Sequence, residues 1–278
     1  MKESPMDLRP MGIGDILDSC FRLYRANFLK FILIAAIPQL VLFLISGTWQ
    51  YFTFSIMTMG TPKLEAAIPV FVLSSIGTLL LLIPAWCLYL VGTGALAYAV
   101  SERYLGHSID VKESYIYVLK RFWRLVGTLL LTALMIVFGF FFCIVPGIVL
   151  MMLFIFTTQT VVLEQCRVTK AISRSTSLAW DWGNLGKIFV IGLLYFILSM
   201  VVGGIVTVPF MIVSMLRAQH ALLPTFELQI LQTAAQSISN IIVSPIFMIS
   251  FTLLYYDIRI RKEGFDLQVM AENLGHES

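Results

Sequence analysis

The stretch RLVGTLLLTALMIVFGFFFCIVPGIVLMMLFIFTTQTVVL, Arg124 to Leu163, decides how this chain folds. After its opening arginine it holds no charged residue for 39 positions. As one helix it would reach about 60 Å, twice the roughly 30 Å of bilayer hydrocarbon. Val145-Pro146-Gly147 near its midpoint is a turn signal. The stretch therefore reads as two spans, 124–144 and 147–163, closed into a helical hairpin.

Four more apolar stretches flank this hairpin, at 28–57, 66–100, 188–216 and 227–256. Several are longer than a bilayer needs, and Pro38, Pro69, Pro84, Gly203-Gly204 and Pro209 mark where they can kink or tilt. Apolar residues make up 59% of the chain and charged residues 13%, about half the usual charged share, with a mean hydropathy of +0.89. So few charges cannot cover a soluble surface, and the bilayer must be the solvent for much of the molecule. The expected fold is all-α, a polytopic bundle of six transmembrane helices arranged as three hairpins in one membrane domain, 1–278. A net charge of +3 is too small to indicate a nucleic-acid binder. The first apolar stretch follows Glu3, Asp7, Asp15 and Asp18, which is unlike a secretory signal, so residue 1 is expected to be the mature end.

The basic residues divide sharply between alternate connections. Lys2, Arg9, Arg22, Arg25 and Lys30 precede the first span. Arg103, Lys112, Lys120, Arg121 and Arg124 lie between the second and third. Arg167, Lys170, Arg174 and Lys187 lie between the fourth and fifth, and Arg259, Arg261 and Lys262 follow the last. Only Lys63 and Arg217, of 19 basic residues, fall on the opposite side. The positive-inside rule then puts both termini in the cytoplasm and the protein in the cell membrane.

Each cytoplasmic segment ahead of an odd-numbered span has helical amphipathicity. Within 1–27, Ile13, Ile16, Leu17, Cys20, Phe21 and Tyr24 form a stripe opposite Asp15, Asp18, Arg22 and Arg25. Near 109–123, Asp110 can cap with Glu113 at N3, and Val111, Tyr115, Val118, Leu119 and Phe122 follow. Near 168–182, Thr169 can cap a weaker stripe of Val168, Ile172, Ala179 and Trp182 that Ser175 interrupts. The chain thus reads as three copies of one plan: an interfacial helix, a span, a turn and a returning span. Two roles are open to these helices. They can pack on the bundle and set its topology, or they can present Arg22, Arg25, Lys120, Arg121, Arg124, Lys170 and Arg174 to anionic headgroups or a protein partner. In the tail, 257–278, Tyr255 and Tyr256 just before it suit the interface, and the following apolar residues are expected to dock on the amphipathic helices.

Little in the sequence suggests reaction chemistry. Cys20, Cys87, Cys143 and Cys166 are scattered and read as buried or lipid-facing thiols, and His107, His220 and His276 stand apart, so no metal or cofactor is expected. Glu102 with Arg103 and Glu164 with Arg167 read as solvated pairs at span ends. Gly92, Gly94, Ala95 and Ala99 read as a close-packing face. Inside the spans the notable polar groups are amides. Gln39, Gln159 and Asn240 lie near Pro38 or Ser244-Pro245, or within the fourth span, and are the candidates for an intramembrane polar cluster. No nucleophile, base or carboxylate pair is placed for catalysis, so the chain is not expected to be an enzyme.

Four local patterns together carry a family resemblance. They are Leu8-Arg9-Pro10-Met11-Gly12-Ile13-Gly14-Asp15-Ile16-Leu17-Asp18 with Phe21-Arg22-Leu23-Tyr24-Arg25; Ile144-Val145-Pro146-Gly147; Ala171-Ile172-Ser173-Arg174-Ser175; and Tyr255-Tyr256-Asp257-Ile258-Arg259 with Lys262-Glu263-Gly264-Phe265-Asp266-Leu267. The chain resembles, over its whole length, the membrane domain attached to some glycerophosphoryl diester phosphodiesterases. The resemblance implies a stand-alone prokaryotic membrane protein without the hydrolytic barrel. The expected role is a non-enzymatic scaffold or accessory protein at the cytoplasmic lipid surface or on a membrane partner. The alternative is a facilitator for a neutral or lipid-like solute.

Overall fold

A computed structural model describes residues 11–59, 64–219 and 226–264. Every regular element among them is helical: α1 (Ile13–Ala26), α2 (Phe28–Met59), α3 (Leu64–Tyr104), α4 (Val111–Leu119), α5 (Phe122–Phe142), α6 (Ile144–Leu153), α7 (Thr157–Val162), α8 (Val168–Ala179), α9 (Trp182–Gln219) and α10 (Phe226–Glu263). Six stretches of these helices are long and apolar enough to cross a membrane: Phe28–Ile56, Val72–Tyr104, Phe122–Phe142, Ile144–Val162, Trp182–Arg217 and Phe226–Glu263. The protein is an all-α, multi-pass membrane protein. Lys2, Arg9, Lys63, His220, His276 and the Phe265-Asp266-Leu267 end of the family pattern lie outside the described residues.

Packing groups this membrane region into two compact units. The first comprises Met1–Ile34, Val91–Phe196 and Pro245–Ser278, and the second Ala35–Leu90 and Ile197–Ser244. The boundaries run through α2, α3, α9 and α10, so no linker separates the units in sequence.

The first unit is cored by the short helices. On α1 the buried face is Ile16, Cys20, Leu23 and Tyr24, whereas Phe21, expected inside, is exposed. A helix turns 100° per residue, and Leu23 rather than Phe21 falls on the line through Ile16 and Cys20. Small residues of α3 admit α4 closely: Ala95 and Ala99 are fully buried, and a Cβ on Gly94 would sit 3.0 Å from Val118. Asp110 caps α4 as expected, its carboxylate accepting from Lys112 N at 2.8 Å and Glu113 N at 3.2 Å. Val118 is buried on that helix, but Leu119 faces outward. Tyr115 donates its hydroxyl to the Ile34 carbonyl at 2.5 Å. That carbonyl is four residues before Pro38, whose missing N–H leaves it without a helical partner.

The hairpin turns earlier than Val145-Pro146-Gly147. Cys143 alone, extended at φ −170° and ψ 156°, joins α5 to α6, and Pro146-Gly147 lies inside the first turn of α6. Proline is tolerated there because first-turn N–H groups have no helical acceptor. Gly147 serves packing instead: a Cβ on it would come within 2.5 Å of the Phe140 ring, and one on Gly139 within 3.2 Å of the Gly147 backbone. The fourth span is also broken, since Phe154–Phe156 separate α6 from α7. Hydroxyls bond the carbonyls at the break. Ser175 of α8 donates to Leu153 O at 2.7 Å, and Thr157 donates to Phe154 O. Ser175, read as an interruption of the α8 stripe, is therefore its buried anchor beside Ala171, Leu178 and Ala179. Arg167, whose side chain makes no capping bond, occupies the N-cap expected for Thr169, and Trp182 opens α9 at 89% exposure.

In the second unit α2 is tied to α3 and α10 by neutral groups. Trp49 Nε1 donates to Thr78 Oγ1 at 3.1 Å, with its ring filling the space over Gly77. Gln50 Nε2 donates to Thr233 Oγ1 at 3.0 Å.

Candidate functional site

Two linked charge clusters sit where α10 ends among α1, α8 and α9, all within the first unit. Asp257 is fully buried. Its carboxylate accepts from Met11 N at 2.7 Å, Lys187 Nζ at 2.5 Å and, one turn on, Arg261 Nε at 2.9 Å. The same two cations reach the Met11 carbonyl, Arg261 at 2.9 Å and Lys187 at 3.3 Å. Both backbone groups of Met11 are thus held, which fixes the approach to α1. Burial of a charge demands this full set of partners.

The second cluster is Glu164, Arg174, Arg259 and Glu263. Arg174 forks between two carboxylates, with Nε 2.8 Å from Glu164 and Nη1 2.5 Å from Glu263. Arg259 Nε lies 3.2 Å from Glu263 and 3.6 Å from Glu164. Tyr255 donates its hydroxyl to Glu164 at 2.5 Å. The hydrogen bond to Glu263, then those to Glu164, hold the Arg174 guanidinium protonated even more firmly than usual, against the opposing cost of burial. Gln165, in the left-handed region at φ 56°, turns the chain directly after Glu164.

These contacts correct several expectations. Glu164 is not a solvated partner of Arg167, and Arg174 is committed to carboxylates rather than offered to lipid. Tyr255 and Tyr256 are buried at 0% and 3%, not interfacial. A buried phenol needs a partner for its hydroxyl. Glu164 supplies one and Ser101, 2.5 Å from Tyr256, the other. Ile258 and Ile260 are buried, so the described start of the tail does dock.

The other six cations stand differently. Arg22, Arg25, Lys120, Arg124 and Lys170 are exposed and Arg121 half-exposed. Among the described residues no carboxylate pairs with any of them. Arg121 stacks 3.8 Å over the Tyr117 ring, and Arg124 donates to Gln165 O at 3.3 Å. Trp123, beside Arg121 and Arg124 on the chain, is 82% exposed, and Trp180 and Trp182, at the end of the helix that carries Lys170 and the start of the next, are 66% and 89% exposed. Tryptophan of this kind is typical of the membrane–water boundary.

The three candidate amides part company. Gln159 belongs to the first unit, buried on α7, its Nε2 3.7 Å from Met248 Sδ and its Oε1 without a partner among the described residues. Gln39 and Asn240 belong to the second unit. Gln39 lines a cavity of about 440 Å³ there, together with Gln50, Thr78, Thr233 and Gln236. Asn240 is exposed and is not among the lining residues, though it accepts from Gln236 Nε2 at 3.4 Å.

Among the described residues no group of His, Cys, Asp and Glu is placed to hold a metal ion. Cys20 is buried against Ser250, and burial pushes its thiol up to about 11 despite that hydrogen bond.

No curated protein and no solved structure matches the chain. One family model does, over residues 80–258, which takes in most of the charge clusters and the whole of the hairpin. The chain belongs to that family, which is described as a domain of unknown function, DUF7847.

Proposed function

We propose that this protein is a non-enzymatic scaffold or accessory protein whose basic face engages the anionic leaflet, both termini being cytoplasmic. The observation that carries this reading is the sorting of its cations. Arg174, Lys187, Arg259 and Arg261 are consumed by buried or half-buried carboxylates. Arg22, Arg25, Lys120, Arg121, Arg124 and Lys170 lack acidic partners among the described residues, and the four of them outside α1 share their segments with exposed tryptophans. A cation near an anionic surface gains about 1 kcal/mol, so six act with several kcal/mol in concert, weakened by salt. The resemblance to the phosphodiesterase-attached membrane domain belongs to this proposal too, as a reading of its short motifs.

The test is lipid retention. Replacing Lys120, Arg121 and Arg124 together with Glu is expected to strip anionic lipid from the purified protein, read by native mass spectrometry as a several-fold loss of bound phosphatidylglycerol. An unchanged lipid complement at low salt would count against the reading. Orientation is tested separately. In a Cys143→Ser background, Lys120→Cys is expected to react with a membrane-impermeant maleimide only after cells are opened. Labelling of intact cells would reverse the topology.

A further inference from the structure

The cavity of the second unit has chemistry that the basic face does not use. Gln39 lies 11 residues into a span of 29, about 17 Å along the helix and so within the hydrocarbon. It is half-buried, and its amide makes no hydrogen bond to any described residue. An amide left unmatched in hydrocarbon is costly. The neighbours on the wall, Gln50, Thr78, Thr233 and Gln236, are also neutral, and each carries both donor and acceptor capacity. No Asp, Glu, Lys, Arg or His lines the space, so an ionised headgroup entering it would find no counter-charge. Leu82 lines the cavity and is 56% exposed, in a row with exposed Leu79, Leu80 and Ile83 of α3. The space therefore opens through a lipid-facing helix surface. Its 440 Å³ suits the polar region of a small amphiphile and cannot enclose two acyl chains.

We infer that this cavity binds the uncharged polar end of a membrane lipid bearing a free hydroxyl and ester carbonyls, of the diacylglycerol class, with Gln39 as its principal hydrogen-bonding group and the acyl chains left in the bilayer past Leu82. The inference is independent of the basic face, since none of its six cations belongs to the second unit.

The experiment uses the full protein in nanodiscs and a photoactivatable diacylglycerol with a diazirine near one ester. The expected label maps to α2, α3 or α10 and is displaced by excess dioctanoylglycerol. Dioctanoyl phosphatidate, which carries charge, and free glycerol, a soluble polyol, are expected to compete at least tenfold less well. Gln39→Leu is expected to weaken labelling about tenfold, on the scale of one or two lost hydrogen bonds. It should leave the melting temperature unchanged or higher, because it removes an unmatched amide. Leu82→Trp, which narrows the opening, should also reduce labelling. Labelling outside α2, α3 and α10, equal competition by phosphatidate or by glycerol, or full labelling of a well-folded Gln39→Leu protein would each overturn the inference. Loss of labelling in the Lys120/Arg121/Arg124→Glu protein would overturn its independence from the basic face.

Discussion

Asp257→Ala is expected to lower the melting temperature of the detergent-solubilised protein by about 10 °C, the shift that a loss of roughly 3–5 kcal/mol produces in a chain of this size. The carboxylate is fully buried and neutralises Lys187, itself only 19% exposed. Removing it leaves an ammonium without a counter-charge and frees the Met11 N–H, so the damage exceeds the value of one surface ion pair. Arg261 is 43% exposed and can turn to water, which is why the figure is not larger. Asp257→Asn retains an acceptor for Met11 and should lose less. Removing both charges, as Asp257→Leu with Lys187→Met, should cost less than Asp257→Ala alone, since the one cation then left without its carboxylate, Arg261, can reach water. Hydrogen exchange localises the effect: α1 amides should exchange faster once Met11 is released. A shift within about 2 °C, with α1 unaltered, would mean that this carboxylate does not anchor the approach to α1.

The elements of this fold differ in how far they can be read along the chain. Span number, the capped α4 and the small-residue face of α3 follow from local quantities, namely apolar length, an Asx side chain before a helix, and residue volume. The hairpin at 124–163 was readable for the same reason, apart from the shift of its turn to Cys143, where helix-compatible proline reads as a breaker. The charge clusters are another matter. Met11 and Asp257 are 246 residues apart, Tyr255 and Glu164 91, and Lys187 and Asp257 70. Nothing in the periodicity of either partner announces such pairings. Tyrosine and arginine near a span end have the same local pattern whether they meet headgroups or a buried carboxylate. Ser175 shows this in miniature, since its polarity looked like a fault in a stripe until the break after Leu153 supplied a carbonyl for it. The amides behave likewise: Gln39 and Gln159 are alike in sequence context, and packing alone puts one on a cavity wall and the other inside a core.

Arg174 separates the architecture of this region from its proposed function. Its guanidinium binds Glu164 through Nε at 2.8 Å and Nη2 at 3.2 Å, and binds Glu263 through Nη1 at 2.5 Å. Arg174→Ala leaves two carboxylates to share Arg259, and should cost about 2–4 kcal/mol given that the pairs are only partly exposed. Arg174→Lys should recover less than half, because a compact ammonium cannot span both acids in the way a planar fork does. Adding Glu164→Gln to Arg174→Ala should restore part of the loss by relieving the carboxylates' repulsion, a coupling that a double-mutant cycle measures. The decisive readout is lipid. Arg174 belongs to a basic segment of the same kind as that of Lys120 and Arg124, and shares it with exposed Lys170, yet its charge is already spent within the protein. Arg174→Ala should therefore lower thermal stability and leave retained phosphatidylglycerol unchanged, the reverse of the Lys120/Arg121/Arg124→Glu pattern. If both variants lose lipid alike, the division between structural and surface cations fails, and the basic face acts through the integrity of the fold.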